Sequence, residues 1–205
     1  VTEIGEGAFY QCSSLTNIII PNSVLKIGSE AFYKCKALAN AMIPNSVVKI
    51  GNYAFYKCTS LINIIIPNSV TKIGDGVFSK CTSLTNITIP NSVTKISGDA
   101  FSGCLSLTNI TVPNIVEIIG RNVLFGETIL KGINLPESIK ILNNNTFIEH
   151  DINTVIIPNN VIKIFNFAFK GCSSLINITI PDSVTKIGDG VFSGCSSLTN
   201  VMIPN

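Results

Sequence analysis

The prolines of this chain keep a beat. They are Pro21, Pro44, Pro67, Pro90, Pro113, Pro136, Pro158, Pro181 and Pro204; seven of the eight spacings are 23 residues, and the one from Pro136 to Pro158 is 22. A period of that size marks one supersecondary unit copied along the chain. No single copy can bury its own apolar face, so the copies must stack and share a continuous core. Apolar columns fall into register with the prolines. Ile18, Ala41, Ile64, Ile87, Ile110, Ile133, Val155, Ile178 and Val201 stand three residues before them. Ile20, Ile43, Ile66, Ile89, Val112, Leu135, Ile157, Ile180 and Ile203 stand one residue before. Six before are Leu15, Leu38, Leu61, Leu84, Leu107, Leu130, Leu175 and Leu198, with Ile152 in the shortened copy.

From Leu61 one copy reads LINIIIPNSVTKIGDGVFSKCTS. Apolar residues two apart ahead of the proline give the period of a strand, and β-branched Ile and Thr suit a pleated surface. Proline removes a backbone donor and ends the strand. Asn-Ser turns the chain, after which Val70 and Ile73 lean inward. Gly74 belongs to a column that is glycine in six of nine copies, where a positive φ is expected. Val77, Phe78 and Cys81 then have the spacing of a short helical or 3₁₀ turn. The expectation is an α/β solenoid, with residues 1–205 forming one array of about nine coils cut from a longer one. At the strand spacing of about 4.7–4.9 Å per coil such an array spans roughly 40 Å. Phe9, Phe32, Phe55, Phe78, Phe101, Phe147, Phe169 and Phe192 should stack through its core.

The pattern of leucine, Ile-x-Ile-Pro, x-Ser-Val-x-x-Ile-Gly, x-x-Ala-Phe and x-x-Cys resembles the BspA-like branch of the leucine-rich-repeat superfamily over essentially the whole chain. The resemblance implies a right-handed arc with a parallel sheet on its concave side and short turns or 3₁₀/helical turns on its convex side. It also implies surface proteins of bacteria and mucosal protists that attach to host matrix, host cells or other microbes. It brings no shared catalytic residues.

Several columns carry groups with chemistry. Cys12, Cys35, Cys58, Cys81, Cys104, Cys172 and Cys195 each stand nine residues before a proline. One thiol per repeat is not a zinc pattern, which needs close pairs converging on one ion. An odd count in identical settings reads as a stack of small buried hydrophobes rather than a disulfide framework. Asn17, Asn40, Asn63, Asn86, Asn109, Asn177 and Asn200 fall on the open face of the sheet, where side-chain amides can bond from coil to coil. Asn86, Asn109, Asn144 and Asn177 also begin Asn-x-Thr sequons. The other outward column holds Ile19, Met42, Ile65, Thr88 and Thr111, then Asn134, Ile156, Thr179 and Met202. Ile19, Met42 and Ile65 make an apolar stripe on an exposed sheet, a feature that marks interaction sites; a β-branched residue there also simply suits a strand.

Lys26, Lys49, Lys72, Lys95, Lys163 and Lys186 form a row five residues after the prolines, broken by Ile118 and Ile141. It reads either as a basic edge for sulfated glycans or acidic proteins, or as a solvated face that blunts aggregation. Between Pro113 and Phe169 the pattern drifts: Glu127 and His150 replace column cysteines, and one residue is lost after Phe147. His150 between Glu149 and Asp151 has no second histidine or thiol pair to make a metal or acid–base site, so a local kink or loosened coil is expected.

Composition narrows the remainder. A net charge of +2 favours neither nucleic acid nor an anionic membrane, and no stretch of 18 apolar residues is present to span a bilayer. There is no basic run with interleaved aromatics, no phosphate loop and no nucleophile elbow, so neither a cofactor nor an enzymatic activity is expected. The chain begins at Val1 without a charged leader and apolar block, which places any secretory signal outside it. The leading expectation is a non-catalytic adhesion module at the cell surface or secreted, meeting a protein or glycan through the concave sheet (Ile19, Met42, Ile65, Thr88, Thr111) or the basic edge (Lys26, Lys49, Lys72, Lys95). The alternative is a spacer or self-assembling element stacking end to end; the free thiols also permit an intracellular scaffold.

Overall fold

The structure, a computed structural model, describes residues 1–124 and 133–204. Each coil contributes two short strands rather than one. The first set comprises Asn17–Ile19, Asn40–Met42, Asn63–Ile65, Asn86–Thr88, Asn109–Thr111, Ile133–Asn134, Val155–Ile156, Asn177–Thr179 and Asn200–Met202. These pair in parallel with each residue opposite its repeat equivalent, as in Asn40 with Asn63 and Met42 with Ile65, and line one side of the solenoid, sheet I, as ladders of five, two and two strands. The second set runs Glu3–Ile4, Lys26–Ile27, Lys49–Ile50, Lys72–Ile73, Lys95–Ile96, Ile118–Ile119, Ile141–Leu142, Lys163–Ile164 and Lys186–Ile187. They line a second side, sheet II, as parallel ladders of three and six strands. The piece after Asn-Ser that sequence periodicity makes an inward-leaning extension is therefore a ladder of its own.

The corner between the two sheets has a fixed chemistry. The carbonyl of each proline accepts a hydrogen bond from the residue three on, as in Val47 N–H to Pro44 O at 3.0 Å. The serine of Pro-Asn-Ser reaches back one coil: Ser46 Oγ donates to Val24 O at 2.7 Å, and Ser92 Oγ to Val70 O at 2.6 Å. Where serine becomes Asn160, its amide donates to Glu137 O instead, at 2.6 Å. These serines tie neighbouring corners together, satisfying carbonyls that would otherwise be orphaned.

The third side of the coil corrects the helical expectation. Among the described residues there is no helix. Tyr33 N–H and Cys35 N–H bond to carbonyls three residues back, Glu30 O and Phe32 O, while the intervening Glu30, Phe32 and Lys34 N–H groups bond to Asn52, Ala54 and Tyr56 of the next coil. A helix directs every N–H along its own axis; here alternate donors are committed across the stack. The alternation requires left-handed residues four apart, such as Glu30 (φ 56°) and Lys34 (φ 57°), then Tyr53 (φ 55°) and Lys57 (φ 55°). The fold is a parallel β-solenoid whose third side is a ladder of turns, with no α component among the described residues.

The glycine column also differs from expectation. Gly28, Gly51, Gly74, Gly120 and Gly188 do not adopt positive φ; that conformation falls two residues later, as at Gly76 (φ 56°) and Gly190 (φ 57°). What several of these glycines supply is room. A Cβ on Gly51 would lie 2.3 Å from Ser29 N, and one on Gly120 2.4 Å from Gly98 N. At those coils the neighbouring backbone approaches too closely for a side chain, whereas other coils seat Ser97, Asn143 and Phe165 in the same column.

Between the sheets and the turns lies one continuous core. Val24, Val47, Phe32, Phe55, Leu38 and Leu61 are buried, as are their equivalents in the inner coils among the described residues, while Phe9, Leu15, Phe192 and Leu198 of the outer coils are partly buried. The phenylalanines stack in two runs. Ring centroids from Phe9 to Phe32, Phe55, Phe78 and Phe101 are 5.2, 5.1, 5.8 and 5.8 Å apart. Phe147, Phe169 and Phe192 follow at 5.1 and 5.7 Å. Buried Leu124 holds the column position between the runs. Glu127 and Leu130, two sites of the sequence drift, lie outside the described residues. Sheet II runs unbroken past them, six strands from Lys72–Ile73 to Lys186–Ile187, with Ile119 paired to Leu142.

Candidate binding surfaces

On sheet I, alternation turns Ile64, Ile87 and Ile178 inward and the residues on either side outward. The stripe expected from sequence is present: Ile19, Met42 and Ile65 are 92%, 80% and 77% exposed and occupy successive register positions. Thr88 and Thr111 continue the column, also exposed. A hollow of about 590 Å³ lies over this face, lined by Asn63, Ile65, Asn86, Thr88 and the prolines Pro67 and Pro90. The asparagine column beside the stripe faces outward, and Asn200 Nδ2 donates to Asn177 Oδ1 across one coil step at 3.2 Å. Asn17 and Asn86 donate to the hydroxyls of Thr16 and Thr85 before them. The amides thus divide between the coil-to-coil bond and a local one. The side chains of Asn109 and Asn134 lie outside the described residues.

The lysine row forms the outer side of sheet II. Lys26 lies opposite Lys49, Lys72 opposite Lys95, and Lys163 opposite Lys186. Lys26 is neutralised by Glu3, Nζ to Oε1 at 2.5 Å. Among the described residues no other ion pair forms, so Lys49, Lys72 and Lys95 present uncompensated charge. Ile118 and Ile141, both exposed, interrupt the row.

Stacking also assembles a surface that no linear run shows. Tyr10, Tyr33 and Tyr56 recur at one repeat and stack with centroids 4.7 Å apart at both steps. Lys34 Nζ lies 5.2 Å from the Tyr33 ring centroid, and Lys57 Nζ 5.5 Å from that of Tyr56. Basic and aromatic groups interleave after all, across coils. The sequence signal is the Phe-Tyr-x-Cys that opens three successive turns and becomes Phe-Ser-x-Cys after Tyr56.

The cysteine column is structural. Cys58, Cys81 and Cys104 each donate a weak S–H bond to the phenylalanine carbonyl of the preceding coil, at 3.2, 3.1 and 3.1 Å to Phe32, Phe55 and Phe78. All seven thiols are free. Burial pushes Cys35 up to about 11, and Cys104 and Cys172 up to about 12, which suppresses the thiolate that reacts or binds metal. His150 takes the place of a cysteine. It is buried, its Nε2 bonds to Leu124 O, and its ring meets Phe147 edge-on at 6.5 Å. Since a carbonyl only accepts, Nε2 carries the proton. Desolvation lowers its pKa and keeps the ring neutral. It fills a thiol's slot with a larger donor, and the coil around it is packed rather than loosened. Among the described residues no group of three or more metal-ligating side chains is assembled, and no helix is long and apolar enough to cross a membrane.

A family model of the BspA type leucine rich repeat region, six copies, matches residues 2–129 and 121–205. The chain belongs to the BspA-type leucine-rich-repeat family. Solved structures agree. A leucine-rich repeat protein from Bacteroides ovatus is 25% identical with a TM-score of 0.64, the match covering all of this chain and 70% of that one. The leucine-rich repeat protein of T. pallidum is 30% identical with a TM-score of 0.55, covering 98% of this chain and 72% of that one. The pneumococcal vaccine antigen PcpA shares the fold at 22% identity and a TM-score of 0.58, over 100% and 68% of the two chains. No curated protein matches the sequence. In this BspA-type repeat chain the repeated apolar columns are the ones that build the core.

Proposed function

We propose that the chain is a non-catalytic binding module of a cell-surface or secreted protein, and that it meets a protein or glycan through the outward face of sheet I, the concave side in the family's arc. The observation that carries this reading is the stripe Ile19, Met42 and Ile65, exposed by 92%, 80% and 77% in consecutive coils. Leaving three large apolar side chains in water forgoes roughly 1.5–3 kcal/mol of burial for each. A threonine suffices for the same strand position in the next two coils. Methionine amid isoleucine suits a surface that adapts to its partner. The uncompensated lysines of sheet II supply a second, basic face for an acidic protein or sulfated glycan. That a pneumococcal structure of this fold is a vaccine antigen supports an extracellular setting.

The test is attachment of the purified chain to matrix proteins, cell surfaces and sulfated glycans. It is run beside Ile19→Glu/Met42→Glu/Ile65→Glu and, separately, Lys49→Glu/Lys72→Glu/Lys95→Glu, each checked for folding. Loss of attachment in the first variant supports sheet I; loss in the second alone moves the site to sheet II. No attachment by any form, with a scattering mass that rises with concentration, would replace this reading with end-to-end assembly.

A further inference from the structure

Sheet II carries a hollow unlike the rest of its face. Successive coils leave a shelf beside the lysine row because the column of Gly28, Gly51, Gly74, Gly120 and Gly188 has no side chains. Over the fourth to eighth strands of sheet II this shelf holds a hollow of about 480 Å³. Three residues that depart from their own columns set it apart, Ser97, Phe165 and Arg121, with Asn144 beside them.

Ser97 stands where most coils have glycine. It is 4% exposed, and its Oγ finds no hydrogen-bond partner in the protein among the described residues. A buried hydroxyl without a partner is destabilising, and glycine in the same column of neighbouring coils shows that the fold does not need one. Phe165 stands in that column too, with its ring 36% exposed at the rim of the hollow. Arg121 is the cation of a column that otherwise holds acids and amides, with Ser29 and Gly98. Asn52, Asp75 and Asn166 cap N–H groups of the next coil there: Asn52 Oδ1 accepts from Asp75 N at 3.0 Å, Asp75 Oδ1 from Gly98 N at 3.1 Å, and Asn166 Oδ1 from Asp189 N at 3.1 Å. A guanidinium cannot accept, so Arg121 has left that task. Asn144 adds an exposed amide to the rim.

Charge points the same way. Lys72, Lys95 and Arg121 line the hollow against one acid, Asp75, whose Oδ1 is already engaged with Gly98 N. None of the three cations is in an ion pair among the described residues. Cations, a buried donor, an aromatic face and an amide are what an acidic sugar presents partners for: an oxyanion, a C–H face and hydroxyls. A net charge of +2 supplies little long-range pull on a polyphosphate, so recognition would be local.

We propose that this hollow is a subsite for a short acidic saccharide. Lys95 and Arg121 hold a sulfate or carboxylate, and the Ser97 hydroxyl donates to the same oxyanion. Phe165, three coils on from Ser97, covers the C–H face of a following ring, and the Asn144 amide meets a hydroxyl between them. The assignment rests on the reading of the chain as a binding module and names the ligand of its basic face.

The experiment is calorimetric titration of the chain with a heparin-derived tetrasaccharide, a hyaluronan tetrasaccharide and inorganic sulfate. The variants are Ser97→Gly, Phe165→Gly and Arg121→Gln. The first two restore the glycine that other coils carry, so folding is retained and verified by melting. Lys163→Gln and Lys186→Gln, in the same row outside the hollow, are the controls. Each hollow variant should weaken tetrasaccharide binding by about tenfold, and each control by no more than about twofold. Preference for the heparin fragment assigns the oxyanion as sulfate; equal binding of hyaluronan assigns it as carboxylate. Inorganic sulfate competing as well as the tetrasaccharide would remove the sugar from the proposal. Equal weakening by the controls would overturn the hollow and leave a diffuse basic face, with the binding-module reading intact. Attachment through the Ile19 stripe with no saccharide bound would overturn this inference alone.

Discussion

Gly5 and Gly51 occupy the same column and should respond to alanine with opposite signs. Nothing lies within 4 Å of a Cβ on Gly5, whereas one on Gly51 would meet Ser29 N at 2.3 Å. Gly5→Ala should stabilise the chain by about 0.4–1 kcal/mol through the unfolded state. Gly51→Ala should cost about 1–3 kcal/mol as neighbouring backbones are forced apart; urea titration of the two variants measures both. The thiols divide as sharply. Cys12 is exposed, while Cys58, Cys81 and Cys104 are buried with raised pKa values. Iodoacetamide at pH 8.5 should label Cys12 within minutes, and these three only at the rate of unfolding; mass spectrometry of the labelled peptides reads this out. Prompt labelling of Cys81 would contradict its burial. His150 gives a pH signature. Its folded-state pKa lies below the unfolded value of about 6.5, so below that pH the unfolded chain binds a proton that the folded chain resists. Its contribution is present above about pH 6.5 and is lost as pH falls through the folded pKa. His150→Cys restores the column thiol and should flatten the fall in melting temperature between pH 7 and pH 5.

Each element is a ladder, so a local loss is shared with its neighbours. Phe55 is fully buried between Phe32 and Phe78, with centroids at 5.1 and 5.8 Å. Phe55→Ala should cost about 3–5 kcal/mol. In hydrogen exchange the lost protection should centre on the amides of residues 30–35, 53–58 and 76–81, because their alternate N–H groups bond from coil to coil. Protection lost evenly along the chain would show that the coils are not nearest-neighbour units. The turn ladder also explains why residues such as Lys34, Lys57 and Lys80 tolerate positive φ (57°, 55° and 60°). A left-handed residue costs roughly 1–2 kcal/mol, and here the hydrogen bonds to the next coil hold it in place.

Across the whole molecule, sheet II carries the connection between the two phenylalanine runs. Leu142 is fully buried and pairs with Ile119 at the middle of its six-strand segment. Leu142→Asp would place an unpaired charge in that core and cut the nearest-neighbour chain at its centre. Denaturation followed by circular dichroism should separate into two transitions, where the parent chain shows one. A single transition at lower denaturant would mean that the halves are coupled through contacts other than this ladder.

Much of this was legible in the linear text because a solenoid repeats each environment. The proline period, the alternating Ile columns and the phenylalanines fix which residues face the core, and burial confirms them from Phe32 to Val184. The outward positions of Ile19, Met42 and Ile65 follow from the same two-residue alternation. The turns were not legible: the spacing of Val77, Phe78 and Cys81 fits a helix, and only the stack commits alternate N–H groups to the neighbouring coil. The glycine column points to positive φ, whereas the cause at Gly28, Gly51 and Gly120 is the backbone one coil away. Tyr33 over Tyr56, His150 on Leu124 O and the hollow of Ser97, Arg121 and Phe165 each join residues about 23 positions or more apart. A period states which residues share an environment. What those environments hold is set by distances between coils, and these exist only once the chain has stacked.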